Sequence, residues 1–243
     1  MAARARSEAG SVDPVVFDLD GSPRQPIRSD VALGRLLRFL GSGEILATDW
    51  GGNMGMVSPE TGAWRGLGIT SGPWSDITLS GDVVAWSLQI FDPTSVRRLA
   101  GDTAVMRLPE PSAHPRFSPD GRWLAYSRLD GTVAVSPVPP TGQTYQVSTG
   151  FGEVPMWSAA GDELYYRFGR RIWAVDVETD GGFRASPPRL VAEGPFVRVF
   201  GRSYDIAPDG RILVVMGSPE VSADRIHVIT GFTSRLNRLA PAN

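Results

Sequence analysis

A Ser-Pro-Asp-Gly turn between two apolar runs constrains the fold of this chain more than any other feature, and it lies within residues 114–126. Pro119 presets φ at the first corner of the turn, Asp120 can hydrogen-bond to its own backbone, and Gly121 can adopt a positive φ without a Cβ clash. The run that follows, residues 123–127, is mostly apolar on both faces, and such a strand has to be covered on both sides. The stretch therefore predicts a β-hairpin within small sheets that stack face to face.

The same pattern recurs along the chain at nearly regular intervals. Gly81, Gly121 and Gly161 stand 40 residues apart, and each is followed by an apolar run. Two further copies lie 38 residues before Gly81 and 49 residues after Gly161, around Gly43 and Gly210. Short strands and turns with a period near 40 are typical of a β-propeller, in which each repeat forms one four-stranded blade. The sequence therefore predicts an all-β protein, a β-propeller of five to six four-stranded blades. Five repeat units are recognisable in the sequence.

The composition agrees with an all-β chain and excludes several classes of function. The 243 residues include 28 Gly and 20 Pro, which suits many turns, and 42% hydrophobic residues, which suits a globular core. The formal net charge of −2 shows no basic excess, so we expect no nucleic-acid partner. Because cysteine is absent, the chain forms neither disulfides nor thiolate metal sites and has no cysteine nucleophile.

We divide the sequence into three parts. Residues 1–12 are small and charged without periodicity, and we predict that they form a disordered lead. Residues 13–231 are predicted to form the propeller, and residues 232–243 a C-terminal tail or short helix. No apolar core region follows the first charges and no apolar run reaches about 18 residues, so we expect neither a signal peptide nor a membrane span. The expected compartment is the cytoplasm, or the periplasm or another extracytoplasmic space if the chain belongs to a membrane-anchored protein.

The closure of the predicted ring has alternatives. The final unit shows no obvious fourth strand, and residues 15–19 could supply one, because an unpaired edge is a liability for a sheet. Alternatively, the units form an open arc that is truncated from a larger ring. The leucines within residues 33–40 suit either a short helical turn or an inter-blade crossing followed by a strand.

The repeat resembles a known group of propellers. The pattern Phe-Ser-Pro-Asp-Gly-x-x-Leu-x-Tyr at residues 117–126 resembles the repeat of TolB-type, WD-repeat-like β-propellers. A second resemblance, to the C-terminal propeller of bacterial serine/threonine kinases and winged-helix regulators, runs through residues 146–158, 171–177, 204–210 and 226–236. The Asn-Trp and acidic pair usual at the end of those domains are replaced here by Gly231-Phe232 and Ser234-Arg235. The resemblance implies a propeller rather than a catalyst, derived from a larger signalling protein.

Motifs for catalysis are missing from the sequence. A kinase would need a Gly-rich loop, a His-Arg-Asp loop and an Asp-Phe-Gly motif, and none occurs. The nearest match to the Gly-x-Ser-x-Gly of hydrolases, at residues 201–205, fails at its last position. The two histidines, His114 and His227, lie 113 residues apart without metal-site spacing, and residues 18–21 lack the later ligands of a calcium loop. We therefore expect no enzyme activity, no cofactor and no metal.

Residues at the innermost strands should converge on the central channel. The candidate binding residues at the channel mouth are Asp76, His114, Arg116, Met156 and Tyr204. Such an uneven polar set could bind a short peptide or a small ligand, whereas packing of these side chains against one another is the structural alternative. We predict a monomeric protein-interaction or ligand-sensing module with a protein or peptide partner or a small ligand in the channel. The alternative function is a hydrolase or lyase with its site at the propeller mouth, or the accessory propeller of a peptidase.

Other conspicuous side chains have structural explanations. Three aspartates are predicted to order turns, namely Asp120, Asp162 and Asp209. Four tryptophans fall inside strand patterns and are predicted to pack between blades, namely Trp74, Trp123, Trp157 and Trp173. A basic cluster surrounds a hairpin tip and is predicted to be solvated, with contact to an acidic partner as the alternative; it consists of Arg167, Arg170 and Arg171.

Overall fold

The fold consists of antiparallel strands joined by turns. The computed structural model describes residues 2–6, 12–17, 22–72, 74–89, 92–101, 103–197 and 202–216. All secondary structure in these ranges is strand, bridge, turn or bend. In the part of the chain so described, no helix is long and apolar enough to span a bilayer.

The strands form one N-terminal sheet and five repeat units, in chain order. The N-terminal sheet has three strands, β1 (Ala2–Arg6), β2 (Val12–Phe17) and β3 (Pro23–Pro26). The first unit has four, β4 (Leu33–Phe39), β5 (Ile45–Asp49), β6 (Asn53–Val57) and β7 (Trp64–Thr70). The second unit contains β8 (Trp74–Ile77), β9 (Val83–Ser87), β10 (Pro93–Arg98) and the beginning of β11 (Met106–Phe117).

The remaining units follow the same plan. The third unit contains the end of β11 with β12 (Trp123–Arg128), β13 (Val133–Pro137) and β14 (Tyr145–Gln146). The fourth contains β15 (Glu153–Trp157), β16 (Glu163–Phe168) and β17 (Arg171–Glu178), with β18 (Arg184–Ala185) and β19 (Arg189–Glu193) both paired to β17. The fifth is described for β20 (Tyr204–Ile206) and β21 (Ile212–Val214).

Strand β11 belongs to two units because it is twice the usual strand length. Its first residues pair with β10, and residues 112–117 pair with β12. The register between β11 and β12 shifts at a bulge between Ala113 and Arg116. His114 lies in this bulge and has a φ of 52°. Strand β15 repeats this bulge, with Val154 at a φ of 55°. His114 and Val154 therefore hold equivalent positions at the starts of two neighbouring inner strands, meaning the first strand of each unit.

Each unit hides its apolar faces against the next one. The cluster between the third and fourth units joins Trp123 to Trp157 and Phe183. An equivalent cluster lies between the N-terminal sheet and the first unit. Further clusters lie between the first and second, the second and third, and the fourth and fifth units. Burial of one large apolar side chain contributes about 1.5–3 kcal/mol, so these interfaces supply most of the stabilisation. Trp123 and Trp157 thus lie where the sequence predicted, whereas Trp74 lines an open cavity described below.

A glycine in the left-handed region ends the turn after every inner strand. The prediction of a positive φ at Gly121 is confirmed, since its φ is +72°, and Gly43, Gly81, Gly161 and Gly210 have φ between +78° and +88°. A Cβ on Gly121 would lie 3.1 Å from Cγ2 of Thr78, in the equivalent turn of the preceding unit. The turns therefore pack on one another as the units stack.

The N-terminal residues contribute a strand. Within the predicted lead at residues 1–12, Ala2–Arg6 form β1 and pair with Val12–Phe17, and residues 7–11 lie outside the described residues. We also considered that residues 15–19 complete the final unit, yet β2 already has β1 on one edge and β3 on the other. Of the two alternatives for residues 33–40, the strand is the one observed. The predicted tail at residues 232–243 lies outside the described residues.

The fifth unit contacts the first unit through a hydrogen bond. Arg202, just before β20, donates from Nη1 to the carbonyl oxygen of Leu37 in β4 at 2.7 Å. The chain has therefore turned far enough for its last described unit to contact the inner strand of its first.

Candidate functional site

One position in the repeat brings charged groups to the centre. The residue before the last in each inner strand is Arg38, Asp76, Arg116, Met156 or Asp205 in the five units, in order. This register is set by the turn that follows, in which the glycine N–H bonds to the carbonyl oxygen three residues earlier. Apart from Met156, the repeat thus places a charged side chain at this point of every unit.

The carboxylate of Asp76 lies at the centre of these charges and is fully buried. Its Oδ2 accepts hydrogen bonds from Arg38 Nη1 at 2.5 Å and from the backbone N–H of Phe117 at 2.8 Å. Its Oδ1 accepts from Arg116 Nη1 at 3.1 Å and from Arg202 Nη2 at 3.4 Å. We call Asp76 with these three arginines the arginine hub, and it links the inner strands of the first, second and third units to the segment before β20.

The ionisation of the hub follows from this geometry. Burial opposes the charge on Asp76, but the three guanidinium groups outweigh it and hold the pKa of the carboxyl below its ordinary value. Burial, together with the positive charge of Arg116, lowers the pKa of Arg202 to about 10. Arg202 therefore remains protonated at neutral pH. Asp76 and Arg116 were both expected at the channel mouth, and in the structure they contact each other, with the carboxylate enclosed by its four donors.

Two other predicted residues are buried in packing. Met156 is 1% exposed and packs with Tyr165 and Ile172 between the fourth and fifth units, so it does not line the channel mouth as we expected. Its apolar side chain gains more from this core than from contact with the charged hub. Tyr204 is also buried, and its hydroxyl donates to the carbonyl oxygen of Val154 at 2.6 Å.

His114 lies at a cavity of about 940 Å³ at the starts of the inner strands. We call this cavity the wide mouth, and it is lined by, among others, Trp74, His114, Leu129, Phe151, Phe168 and Arg170. The ring of His114 packs edge-on against Trp74 with centroids 4.9 Å apart, and its Nδ1 lies 3.2 Å from Oγ of Ser127. Of the five predicted residues, His114 is the one that lines the wide mouth.

An aromatic pair on the rim of the wide mouth was missed by the sequence analysis. Phe151 and Phe168 stack with centroids 5.6 Å apart and planes 20° apart, although they are 64% and 48% exposed. Phe151 lies in the connection between the third and fourth units, just before β15, and Phe168 is the last residue of β16 in the fourth unit. Nothing in the 40-residue pattern marks either residue, because Phe151 lies in a loop and Phe168 lies at the very end of its strand.

Arg167 differs from the other members of the predicted basic cluster because it is buried. We predicted a solvated hairpin tip, but Arg167 is 4% exposed and donates to the carbonyl oxygens of Gly169, Phe196 and Val197 at 2.8, 3.1 and 2.8 Å. It also contacts Oγ of Ser203 at the start of the fifth unit. The repeat spacing contained a signal, because Ser127, 40 residues earlier, likewise bonds to the next unit, through Val154 N at 3.0 Å.

A smaller cavity of about 540 Å³ lies at the opposite ends of the inner strands. We call it the narrow mouth, and its lining includes Arg38, Phe39, Leu79, Arg116, Arg202 and Leu213. Within the described ranges, no group of three or more His, Asp or Glu side chains is placed to hold a metal ion.

Comparisons with known proteins establish the fold and no closer relationship. No family model matches the chain, and no curated protein sequence matches it. A putative TolB from Agrobacterium tumefaciens aligns in structure with a TM-score of 0.57 and 15% identity, over 87% of this chain and 88% of that one. The β-propeller domain of Cps50 (Swd1) from Myceliophteria thermophila aligns with a TM-score of 0.55 and 12% identity, over 74% of this chain and 66% of that one. The all-β fold is therefore a β-propeller, as the repeat predicted.

Proposed function

We propose that this chain is a non-catalytic β-propeller that acts as a protein-interaction or ligand-sensing module and binds a protein or peptide at the wide mouth. The observation that carries the proposal is the stacked pair Phe151 and Phe168, which stands exposed on the rim of a cavity of about 940 Å³. Leu129 on the same rim is 46% exposed. Propellers commonly bind proteins, and exposed aromatic side chains beside a concavity are typical anchors of such contacts.

The charges around the wide mouth suit a peptide with apolar anchors and an acidic group. Arg170 is exposed on the rim, with its Nε bonded to the carbonyl oxygen of Gly194 at 3.1 Å. Arg128 is half-buried and pairs with Glu110 Oε2 at 2.5 Å, which holds its guanidinium in place. Aromatic and arginine side chains are the residues most enriched at the energetic centres of interfaces. The wide mouth therefore supports a role in recognition.

The enzymatic alternative would be favoured by clustered carboxylates or by a histidine oriented by an aspartate at one end of the channel. Asp76, the carboxylate predicted for the channel, is fully buried and bonded to three guanidiniums and one backbone N–H. The Nδ1 of His114 faces the hydroxyl of Ser127. These contacts favour binding over acid-base chemistry as the role of the predicted residues.

Peptide selection followed by affinity measurement tests the proposal. Peptides would be selected against the purified protein from a displayed library, and their dissociation constants measured for the wild type, Phe151→Ala and Phe168→Ala. Because both phenylalanines are exposed, these changes should leave the fold intact. Loss of an aromatic anchor should weaken binding by about 2 kcal/mol, or roughly 30-fold. Leu190→Ala, an exposed apolar residue on β19 that does not line the cavity, should leave affinity unchanged.

Two results would contradict the proposal. Selected peptides that bind both phenylalanine variants as tightly as the wild type would move recognition away from the wide mouth. Turnover of a model ester or peptide that disappears in His114→Ala would support the enzymatic alternative instead.

A further inference from the structure

The narrow mouth has a surplus of positive charge. Arg38, Arg116 and Arg202 all bond directly to a single carboxylate, that of Asp76. Asp205 is the acidic residue in the lining of the narrow mouth, and it is exposed, whereas Asp76 is fully buried behind the arginines. Three guanidiniums thus face two carboxylates, one of which is enclosed beneath them. A buried positive charge without a full complement of partners is costly, so a further anion would be stabilised here.

The arginines also have unused donors that can reach the cavity. A guanidinium carries five N–H groups, but among the described residues Arg116 uses only Nη1 for hydrogen bonds. The side-chain exposure rises from 7% for Arg38 to 13% for Arg116 and 28% for Arg202. All three arginines line the narrow mouth, and Arg116 and Arg202 are the more exposed of them. Their mutual repulsion contributes to the lowered pKa of Arg202.

The walls of the narrow mouth are apolar above this charged floor. Phe39, Leu79 and Leu213 line it and are 40%, 37% and 46% exposed. Trp157 and Ile206 add further apolar surface to the lining. A strongly hydrated anion such as phosphate gains nothing from these walls, whereas an anion with an apolar body buries it there.

We propose that the narrow mouth binds a carboxylate with an apolar body, holding the carboxylate between Arg116 and Arg202 and the body against Phe39, Leu79 and Leu213. The planar guanidinium matches a carboxylate with paired N–H donors, which gives charge-assisted bonds. Small aliphatic or aromatic acids and the C-terminus of an apolar peptide share this chemistry. The site lies at the end of the inner strands opposite the wide mouth, so it goes beyond the function proposed there.

Isothermal titration of the whole chain tests the proposal with phenylacetate, phenylacetamide and inorganic phosphate. We expect saturable binding of phenylacetate, no binding of the neutral amide at the same concentrations, and weaker binding of phosphate. A short apolar peptide with a free or an amidated C-terminus separates the two sources. Tighter binding of the free peptide than of phenylacetate identifies a chain terminus, and weaker binding identifies a small acid. Equal binding of acid and amide, or no saturation by any carboxylate at millimolar concentration, would overturn the proposal.

Two pairs of variants locate the site. Arg202→Gln should weaken phenylacetate binding on the order of 10- to 100-fold, as expected for loss of a hydrogen bond to a charged group. Arg211→Gln, on the same unit but exposed and paired with Asp209 at 2.7 Å, is the matched control and should bind as the wild type. Thermal melting of both variants checks that each is folded.

A change outside the hub keeps the proposal testable if Arg202→Gln fails to fold. Leu79 is exposed at the narrow mouth, so Leu79→Glu adds a negative charge there with little effect on packing. It should weaken phenylacetate binding, while Leu79→Gln should weaken it much less. Equal affinities of these two variants would overturn the assignment. Phe151→Ala should bind phenylacetate normally, because that residue belongs to the wide mouth.

Discussion

Removal of the charge on Asp76 should destabilise the propeller more than any other single loss of a carboxylate among the described ion pairs. In Asp76→Asn the side chain keeps its size, but Arg38, Arg116 and Arg202 lose their shared counter-charge. One amide hydrogen of the new side chain would also point at a guanidinium or at the N–H of Phe117, all of which are donors. The variant therefore combines uncompensated buried charge with an unsatisfied donor.

The expected cost follows from the burial of the partners. Breaking a buried ion pair by removing one partner costs about 3–5 kcal/mol, which corresponds to a fall in Tm of roughly 6–20 °C for a domain of this size. Urea unfolding and thermal melts of the wild type and Asp76→Asn measure the difference. Glu178→Gln is the control, because Glu178 pairs with Arg184 while both side chains are more than 70% exposed, and such a pair contributes about 0–1 kcal/mol. A loss below about 1 kcal/mol in Asp76→Asn would refute the view that Asp76 holds the arginines together.

The same group predicts how stability responds to acid. Because the pKa of Asp76 is lower in the folded protein than in the unfolded chain, its contribution is fully present above the unfolded pKa, about 3.9, and is lost as the pH falls through the folded value. Wild-type unfolding free energy should therefore fall below about pH 4, and the fall should be smaller in Asp76→Asn. If the unfolding free energies of the two proteins fall by the same amount below pH 4, Asp76 does not titrate in this range.

Two further substitutions test the turn and the link between the last two units. Gly121→Val forces a β-branched residue to a φ of +72° and should lower the free energy of unfolding in urea by about 1–3 kcal/mol. Gly150→Val is the control and should cost much less, because Gly150 has no positive φ and nothing lies within 4 Å of its Cβ. Equal losses of unfolding free energy in the two variants would contradict the turn geometry. Tyr204→Phe removes the 2.6 Å hydrogen bond to the carbonyl oxygen of Val154 and should lower the free energy of unfolding by about 1–3 kcal/mol. Tyr145→Phe should lower it less, because the Tyr145 hydroxyl lies 3.5 Å from its acceptor in an exposed contact. An unchanged urea midpoint for Tyr204→Phe would show that the buried hydrogen bond adds no stability.

The fold was predictable from the sequence because its determinants are local and repeated. Each unit carries its own turn glycine and its own two-sided apolar strand, so one clear copy at residues 114–126 makes the fainter copies recognisable. The N-terminal sheet was not predictable in this way. Strand β1 contains Ala2 and Arg4 and pairs with β2, but its sequence does not carry the repeated turn-and-strand pattern.

The candidate site was predictable only in part. Asp76 and Arg116 occupy equivalent positions in consecutive repeats, and the repeat indicated that both lie on inner strands that converge on the central channel. Arg202 lies outside the repeated pattern, and its contact with Asp76 depends on how far the fifth unit turns back towards the first. The rim pair Phe151 and Phe168 depends on loop conformation, which has no period to detect. Sequence reasoning therefore located the centre of the channel but not the surfaces at its ends.

The arginine hub also bears on how similar units pack against their correct neighbours. The packing positions are alike from unit to unit, with Phe117 and Trp157 at the same place, so apolar burial alone discriminates weakly between neighbours. The charged position before them differs, and it places Arg38 and Arg116 on either side of Asp76. An inner strand that brought a second carboxylate beside Asp76, or that left Asp76 without an arginine, would be far more costly than imperfect packing. The charged positions at the axis therefore favour particular neighbours, while the apolar positions between the sheets provide most of the burial.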